Sequence, residues 1–302
     1  EYEQLSAFSA NIGVNEIGSV FKLGNTVDRL GLDTNEAGWI CSFVMECFEK
    51  RILTGVDTDG LEMYWGNAEA TRQLLHKIAS RESLGNVLAE GVKRAAAEIG
   101  NGAEQIGVYS MKGGTPRGHD HRARWTELFD TVVSDSGALD NTLAVADLTQ
   151  FGLPEKIDPF DPDMLAQAEG KMKGAMQFED SLVTCRFNTL CDIDLLSEAV
   201  AAVTGWDFTP EEAMEVGRRT VHTMRAFNIR NGITGDMERP SERYGSTPTD
   251  GPAEGKAILP HFEKMLQDYY KLMGWDENGT PLPETLEKVG LGEAVAELWP
   301  GK

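Results

Sequence analysis

Positive charge is scarce in this sequence: 28 Lys and Arg face 49 Asp and Glu, a formal net charge of -21 over 302 residues. Binding to nucleic acid or to an anionic membrane surface depends on a cationic footprint, so both classes are excluded as partners. Cysteine is equally sparse. The four, Cys41, Cys47, Cys185 and Cys191, are too few and too scattered for a secreted disulfide scaffold and match no zinc ribbon. A reducing, cytoplasmic setting follows as the expectation. No apolar run reaches the length of a membrane span, and no basic segment leads into a signal-type apolar core. Also missing are the phosphate-binding G-x-x-x-x-G-K-[ST] loop, the G-x-S-x-G elbow, H-E-x-x-H and any clustered C-x-x-C. The first residue is Glu1 rather than methionine, which reads as a piece of something longer.

What is present is helical periodicity. Thr209-Pro210-Glu211-Glu212 combines an N-cap, a proline at the first helical position and a capping-box glutamate, and predicts a helix start. Ala213, Val216, Thr220, Met224 and Phe227 then recur at spacings of three and four and predict its buried stripe. A second stripe comprises Phe262, Met265, Leu266, Tyr269, Tyr270 and Met273, closed by Gly274. Further helices are predicted over 35–51, 68–80, 84–98, 162–176, 195–204 and 284–298. The best strand signal is the alternation Ile106, Val108, Ser110. Without repeated strand-helix alternation the fold class reads as mainly α. Length favours two domains, and the Gly-rich interruption after Gly100 places a boundary near 107, giving 1–107 and 108–302. Residues 232–258 are too long for an ordinary connection and read as a surface excursion or a loop covering a site.

Three stretches are candidates for chemistry. Asp28-Arg29-Leu30-Gly31-Leu32-Asp33 places two carboxylates around a glycine turn, although Asp33 also suits an N-cap. Phe178-Glu179-Asp180-Ser181-Leu182-Val183-Thr184-Cys185 echoes that spacing, with Asp180 five before Cys185. Carboxylates in turns accept hydrogen bonds from the N–H groups of a planar heterocycle, and a thiolate is a soft iron ligand; the alternative is a cap and a buried small residue. Gly114 to Arg124 holds His119, His121 and three arginines, able to meet an anionic group or to form a solvated basic loop.

Taken in order, several segments resemble the aldehyde ferredoxin oxidoreductase family, tungsten enzymes with a bis-pterin metal centre beside a 4Fe-4S cluster. They are Glu1-Tyr2-Glu3, Asp28 to Thr34, Met45 to Lys50, Leu88 to Gly91, Met111 to Gly113, Asp180 to Cys185, Arg225 with Phe227 to Arg230, and Tyr269-Tyr270 with Gly274 to Asp276. The resemblance implies two helical domains of that family's type, with its N-terminal β domain absent. It implies that Asp28, Asp33 and Asp180, with Thr184 beside the last, contact the pterin rings, and that Cys185 is the fourth cluster ligand. Glu3 matches the family glutamate near the metal, which makes it a candidate for moving a proton there. The family's active-site histidine falls on Asp140, so His119 or His121 is the candidate for the missing imidazole. The second motif carries Val183-Thr184 where the family tends to Gly-Leu.

The implied function is oxidation of aldehydes to carboxylic acids, with ferredoxin or another electron-transfer protein as acceptor in a cytoplasmic, anaerobic enzyme. Tungsten (or molybdenum) bis-pterin and the 4Fe-4S cluster are both expected to need the missing N-terminal part, which makes this piece inactive alone. The alternatives are a tungsten subunit of a benzoyl-CoA reductase-like complex and a non-catalytic helical scaffold. The substrate is a small molecule, and a homo-oligomer is an open option.

Overall fold

The computed structural model describes residues 2–137 and 147–300. The chain folds as two units, Glu1–His121 with Arg239–Ser246, and Arg122–Glu238 with Thr247–Lys302. The position near 107 expected as a boundary thus falls inside the first unit.

The first unit contains α1 (Tyr2–Phe8), α2 (Ile17–Leu30), α3 (Thr34–Glu49), α4 (Ala68–Ser80), α5 (Leu84–Leu88) and α6 (Val92–Ile99). Its core joins Phe8 and Ile12 to Val20, Leu23 and Val27 of α2, Ile40 and Val44 of α3, and Ala70, Leu74 and Ile78 of α4. Each helix contributes residues three and four apart, the spacing that puts them on one face. Asp33 caps α3, accepting the Glu36 N–H at 2.8 Å, so the capping reading of that carboxylate is right.

The second unit contains α7 (Trp125–Val133), α8 (Pro162–Met172), α9 (Ala175–Ser181), α10 (Arg186–Thr189), α11 (Ile193–Thr204), α12 (Pro210–Arg230), α13 (Leu259–Met273), α14 (Pro283–Lys288) and α15 (Gly292–Leu298). The capping box forms as predicted: Thr209 Oγ1 accepts the Glu212 N–H at 3.3 Å, and Glu212 Oε2 accepts the Thr209 N–H at 2.9 Å. All six residues of the predicted α13 stripe are buried.

Mainly α is correct. Among the described residues the backbone bridges are two isolated pairs, Ser110 with Pro240 and Trp275 with Pro281. The strand expected over Ile106–Ser110 is therefore reduced to a single bridge. Three predicted helices are each split in two. Gly91, Gly174 and Gly290 adopt left-handed φ of +86°, +111° and +75°, which ends regular α geometry inside 84–98, 162–176 and 284–298. Gly174 is also a close approach: a Cβ on Gly217 of α12 would lie 1.9 Å from its carbonyl oxygen, so α9 and α12 meet backbone to backbone.

The predicted stripe of α12 is corrected. Its buried residues are Ala213, Gly217, Val221, His222 and Arg225, while Phe227 is 64% exposed. Apolar periodicity missed this face because two of its members are a histidine and an arginine, buried with their own polar partners.

Candidate functional site

In the first unit, residues 111–121 are fastened down almost residue by residue. Lys93 Nζ donates to the Met111 carbonyl. Glu36 accepts Thr115 Oγ1 at 2.7 Å and the Val92 N–H at 2.6 Å. Burial is the largest influence on that carboxyl and raises its pKa despite these hydrogen bonds. Trp39 Nε1 donates to the Pro116 carbonyl at 2.7 Å. Gly118 lies so near α1 that a Cβ there would sit 2.5 Å from Ser6 Oγ.

The consequence is a small polar constellation in front of α1. Glu3 Oε1 lies 3.6 Å from Arg117 Nη1 and 3.7 Å from His119 Nε2, and the three side chains are partly exposed. Glu3 Oε2 is buried and has no hydrogen-bond partner among the described residues. The His119 ring stands edge to face with Tyr2, centroids 5.1 Å apart. His121 differs: it is 1% exposed, and its Nδ1 lies 2.8 Å from the Tyr244 hydroxyl. Glu3 and His119, predicted 116 positions apart, are thus brought together, with His121 behind them.

Asp28 and Asp33 mark the corner between α2 and α3, and both are exposed. Gln4, next to Glu3, donates to Asp28 Oδ1 at 2.7 Å. Asp33 spends one oxygen on its cap.

In the second unit, Asp180 lies at the end of α9, and Thr184 and Cys185 lie on the short turn that leads to α10, all exposed. The turn is organised by a residue that sequence reasoning passed over. Glu179 is fully buried; its carboxylate accepts Thr189 Oγ1 and, at 3.1 Å, the Cys191 N–H, while its carbonyl accepts Thr184 Oγ1 at 3.2 Å. Nothing in its local pattern distinguishes it from a solvated acid. Val183, at φ +59° and 92% exposed, and Phe187, 73% exposed, flank the thiol with open apolar surface. Asp140 lies outside the described residues.

These donors suit the implied groups in part. An ionised carboxylate is an acceptor only, the chemistry that receives the N–H edge of a pterin, and three such groups are surface-accessible. A cubane cluster takes four thiolates. The chain offers one accessible sulfur, because Cys41, Cys47 and Cys191 are all buried.

Residues 1–291 match the family model described as aldehyde ferredoxin oxidoreductase, domains 2 & 3. The tungsten-containing aldehyde ferredoxin oxidoreductase of Pyrococcus furiosus is 30% identical over 97% of this chain and 48% of its own length. The aliphatic sulfonate oxidoreductase, WOR-like subunit, of the same organism is 32% identical over 99% of this chain and 46% of its own. The chain therefore spans about half the length of the curated relatives it matches. Among solved structures, the active-site complex BamBC of benzoyl-coenzyme A reductase with 1,5-dienoyl-CoA shares the fold, at a TM-score of 0.75 and 22% identity over 98% of this chain and 49% of that one. With the family model covering nearly every residue, the chain belongs to the aldehyde ferredoxin oxidoreductase family, over its second and third domains.

Proposed function

We propose that this chain is the C-terminal portion of a tungstopterin, iron-sulfur oxidoreductase that converts aldehydes to carboxylic acids and passes electrons to ferredoxin or a similar protein in the cytoplasm. The observation that carries the reading is the segment from Asp180 at the end of α9 to Cys185: the chain's one exposed thiol stands five residues from an exposed carboxylate, in a matched family segment. In the proposed assignment Asp28 and Asp33 of the first unit and Asp180 of the second receive pterin N–H groups, Thr184 follows Asp180 in the same segment, and Cys185 supplies one of four cluster thiolates. A metal centre held there would supply the acceptor for the two electrons released, with two protons, as an aldehyde and water become a carboxylic acid.

The chain's own residues handle the protons and the anionic product. Glu3, with one buried carboxylate oxygen that has no hydrogen-bond partner among the described residues, is positioned to take a proton at Oε2. His119 Nε2, 3.7 Å from Glu3 Oε1, is the imidazole nearest that carboxylate and so the better substitute for the family histidine. Arg117, beside both, can hold the developing carboxylate through its guanidinium. Asp140 is proposed as a catalytic residue on its match to the family's active-site histidine position alone.

The 302-residue chain by itself is expected to hold no cluster and to show no turnover. A purified sample carrying four irons and the brown absorbance of a cluster would overturn that. For the intact protein, anaerobic expression with tungstate or molybdate, followed by assay of metal, iron and pterin, separates the enzyme from a helical scaffold, which would bind none. Turnover of aldehydes, an aromatic CoA thioester and an aliphatic sulfonate then identifies the substrate class; failure with every aldehyde sinks the proposed reaction.

A further inference from the structure

The long irregular stretch after α12 does something its composition does not announce. Within it, Arg239–Ser246 belongs to the first unit. It is held there by backbone: the Met111 N–H donates to the Arg239 carbonyl at 2.8 Å, and the Ser241 N–H donates to the Tyr109 carbonyl at 2.8 Å. Ser241 Oγ adds a bond to the Gly107 carbonyl at 2.6 Å and accepts the Tyr109 N–H at 3.3 Å. A strap fixed this way has little freedom at Tyr244, three residues on. Tyr244 is 3% exposed, and its hydroxyl meets Nδ1 of the equally buried His121.

A neutral imidazole has two tautomers, and the partner at one ring nitrogen decides which is present. A phenol is a willing donor, and an unprotonated imidazole nitrogen is a strong acceptor. The His121 ring in turn stands edge to face with His119, centroids 6.1 Å apart, with a nitrogen of one within 4.8 Å of a nitrogen of the other. We propose that Tyr244 is a positioning residue: its hydroxyl donates to His121 Nδ1, fixes His121 as the Nε2–H tautomer, and through that ring holds His119 against Glu3. The inference rests on the proposed role of Glu3 and His119, but its structural core can be tested separately.

The decisive measurement is the tautomer of His121, read from ring nitrogen shifts in the 302-residue chain labelled with 15N-histidine. The wild type is expected to show one His121 tautomer, Nε2–H. Tyr244→Phe, which keeps the ring and removes only the hydroxyl, is expected to give a mixture at His121 and a shifted His119, with the other three histidines unmoved. A wild-type His121 in the Nδ1–H form overturns the proposal even if the variant fails to fold. So does a variant in which His121 keeps the Nε2–H form alone. In the intact enzyme, with whichever substrate it turns over, the same variant is expected to lower kcat by about tenfold, the scale of one hydrogen bond, with KM unchanged. An equal loss in both would refute a positioning role. Absence of aldehyde turnover in the wild type counts against the proposed reaction and leaves the tautomer result standing.

Discussion

Arg225 grips both carboxylate oxygens of Glu238, Nη1 to Oε1 at 2.7 Å and Nη2 to Oε2 at 3.1 Å, with neither side chain more than 1% exposed. The guanidinium also donates to the Gly279 carbonyl at 2.8 Å and lies 4.4 Å from the centre of the Trp275 ring. Burial works against its charge, yet Glu238 and Asp135 keep its pKa above the ordinary arginine value. Tyr270 donates to the same Glu238 carboxylate, and its own pKa is raised, first by burial and then by that negative charge.

Removing Glu238 leaves the buried guanidinium without its bidentate partner, with only the more distant Asp135 Oδ1, 3.3 Å away, as a carboxylate among the described residues. Glu238→Ala is therefore expected to destabilise the chain by about 3–5 kcal/mol. Thr209→Ala, which deletes a solvent-exposed cap, is expected to cost only about 1 kcal/mol. Urea unfolding of both variants checks the order. A Glu238→Ala cost below that of the cap variant would mean that the buried cation finds another partner.

His222 gives the fold a defined acid sensitivity. Its Nδ1 accepts the Trp275 Nε1–H at 3.1 Å, and burial, helped by nearby Arg218, holds its pKa down to about 4 against an ordinary 6.5. An unfolded chain takes up a proton at this residue as pH falls below 6.5, and the folded chain resists until about 4. Stability attributable to His222 is thus complete above pH 6.5 and is lost on the way to pH 4, by about 3 kcal/mol in total. His222→Gln keeps an acceptor for Trp275 without a titrating group. The variant should lose less stability than wild type between pH 7 and pH 4.5, measured by urea midpoints. Parallel acid losses in the two proteins would show that His222 contributes no such term.

The legible parts of the fold were those in which one kind of pattern governs. Thr209 with Glu212 signals a helix start without help from tertiary structure, and the α13 stripe is purely apolar, so both were read correctly. The α12 face was not, because Arg225 and His222 are buried by partners at Glu238 and Trp275 that no local pattern reveals. The breaks at Gly91, Gly174 and Gly290 were visible as glycines, but whether a helix continues through a glycine depends on packing, as the approach of Gly217 to the Gly174 carbonyl shows. In the site, Glu3, His119 and Cys185 were each singled out from sequence. The meeting of Glu3 with His119 was not, since it depends on anchors such as Trp39 to Pro116 and Glu36 to Thr115 far apart in the chain. Tyr244 and Glu179 were passed over, one inside an irregular stretch and the other disguised as a surface acid.

Glu179 should matter to the turn that carries Cys185. Its carboxylate is the acceptor for Thr189 Oγ1 and the Cys191 N–H, so Glu179→Ala leaves a part-buried hydroxyl and a buried amide without that acceptor. Amide hydrogen exchange at Cys191 is expected to accelerate by at least about tenfold, the counterpart of roughly 1.4 kcal/mol of local protection. Amides of α13 should be unchanged. Unaltered exchange at Cys191 would place the control of this turn elsewhere.

The four sulfurs are predicted to separate sharply in reactivity. Cys41 and Cys47 are buried in α3, and burial pushes both thiols up to about 12, so almost no thiolate is present at neutral pH. Cys191 is also buried and its thiol is raised, first by burial and next by its contact with Glu179. Cys185 alone is exposed. A native sample treated with a disulfide reagent such as DTNB at pH 8 should release one equivalent of thiolate rapidly, and all four only after denaturation. Cys185→Ala should abolish the fast phase while the slow sulfurs stay slow. A second fast sulfur in that variant would show that another cysteine is reachable. The chain could then offer more than one thiolate to a cluster, and the requirement for three ligands from elsewhere would fall with it.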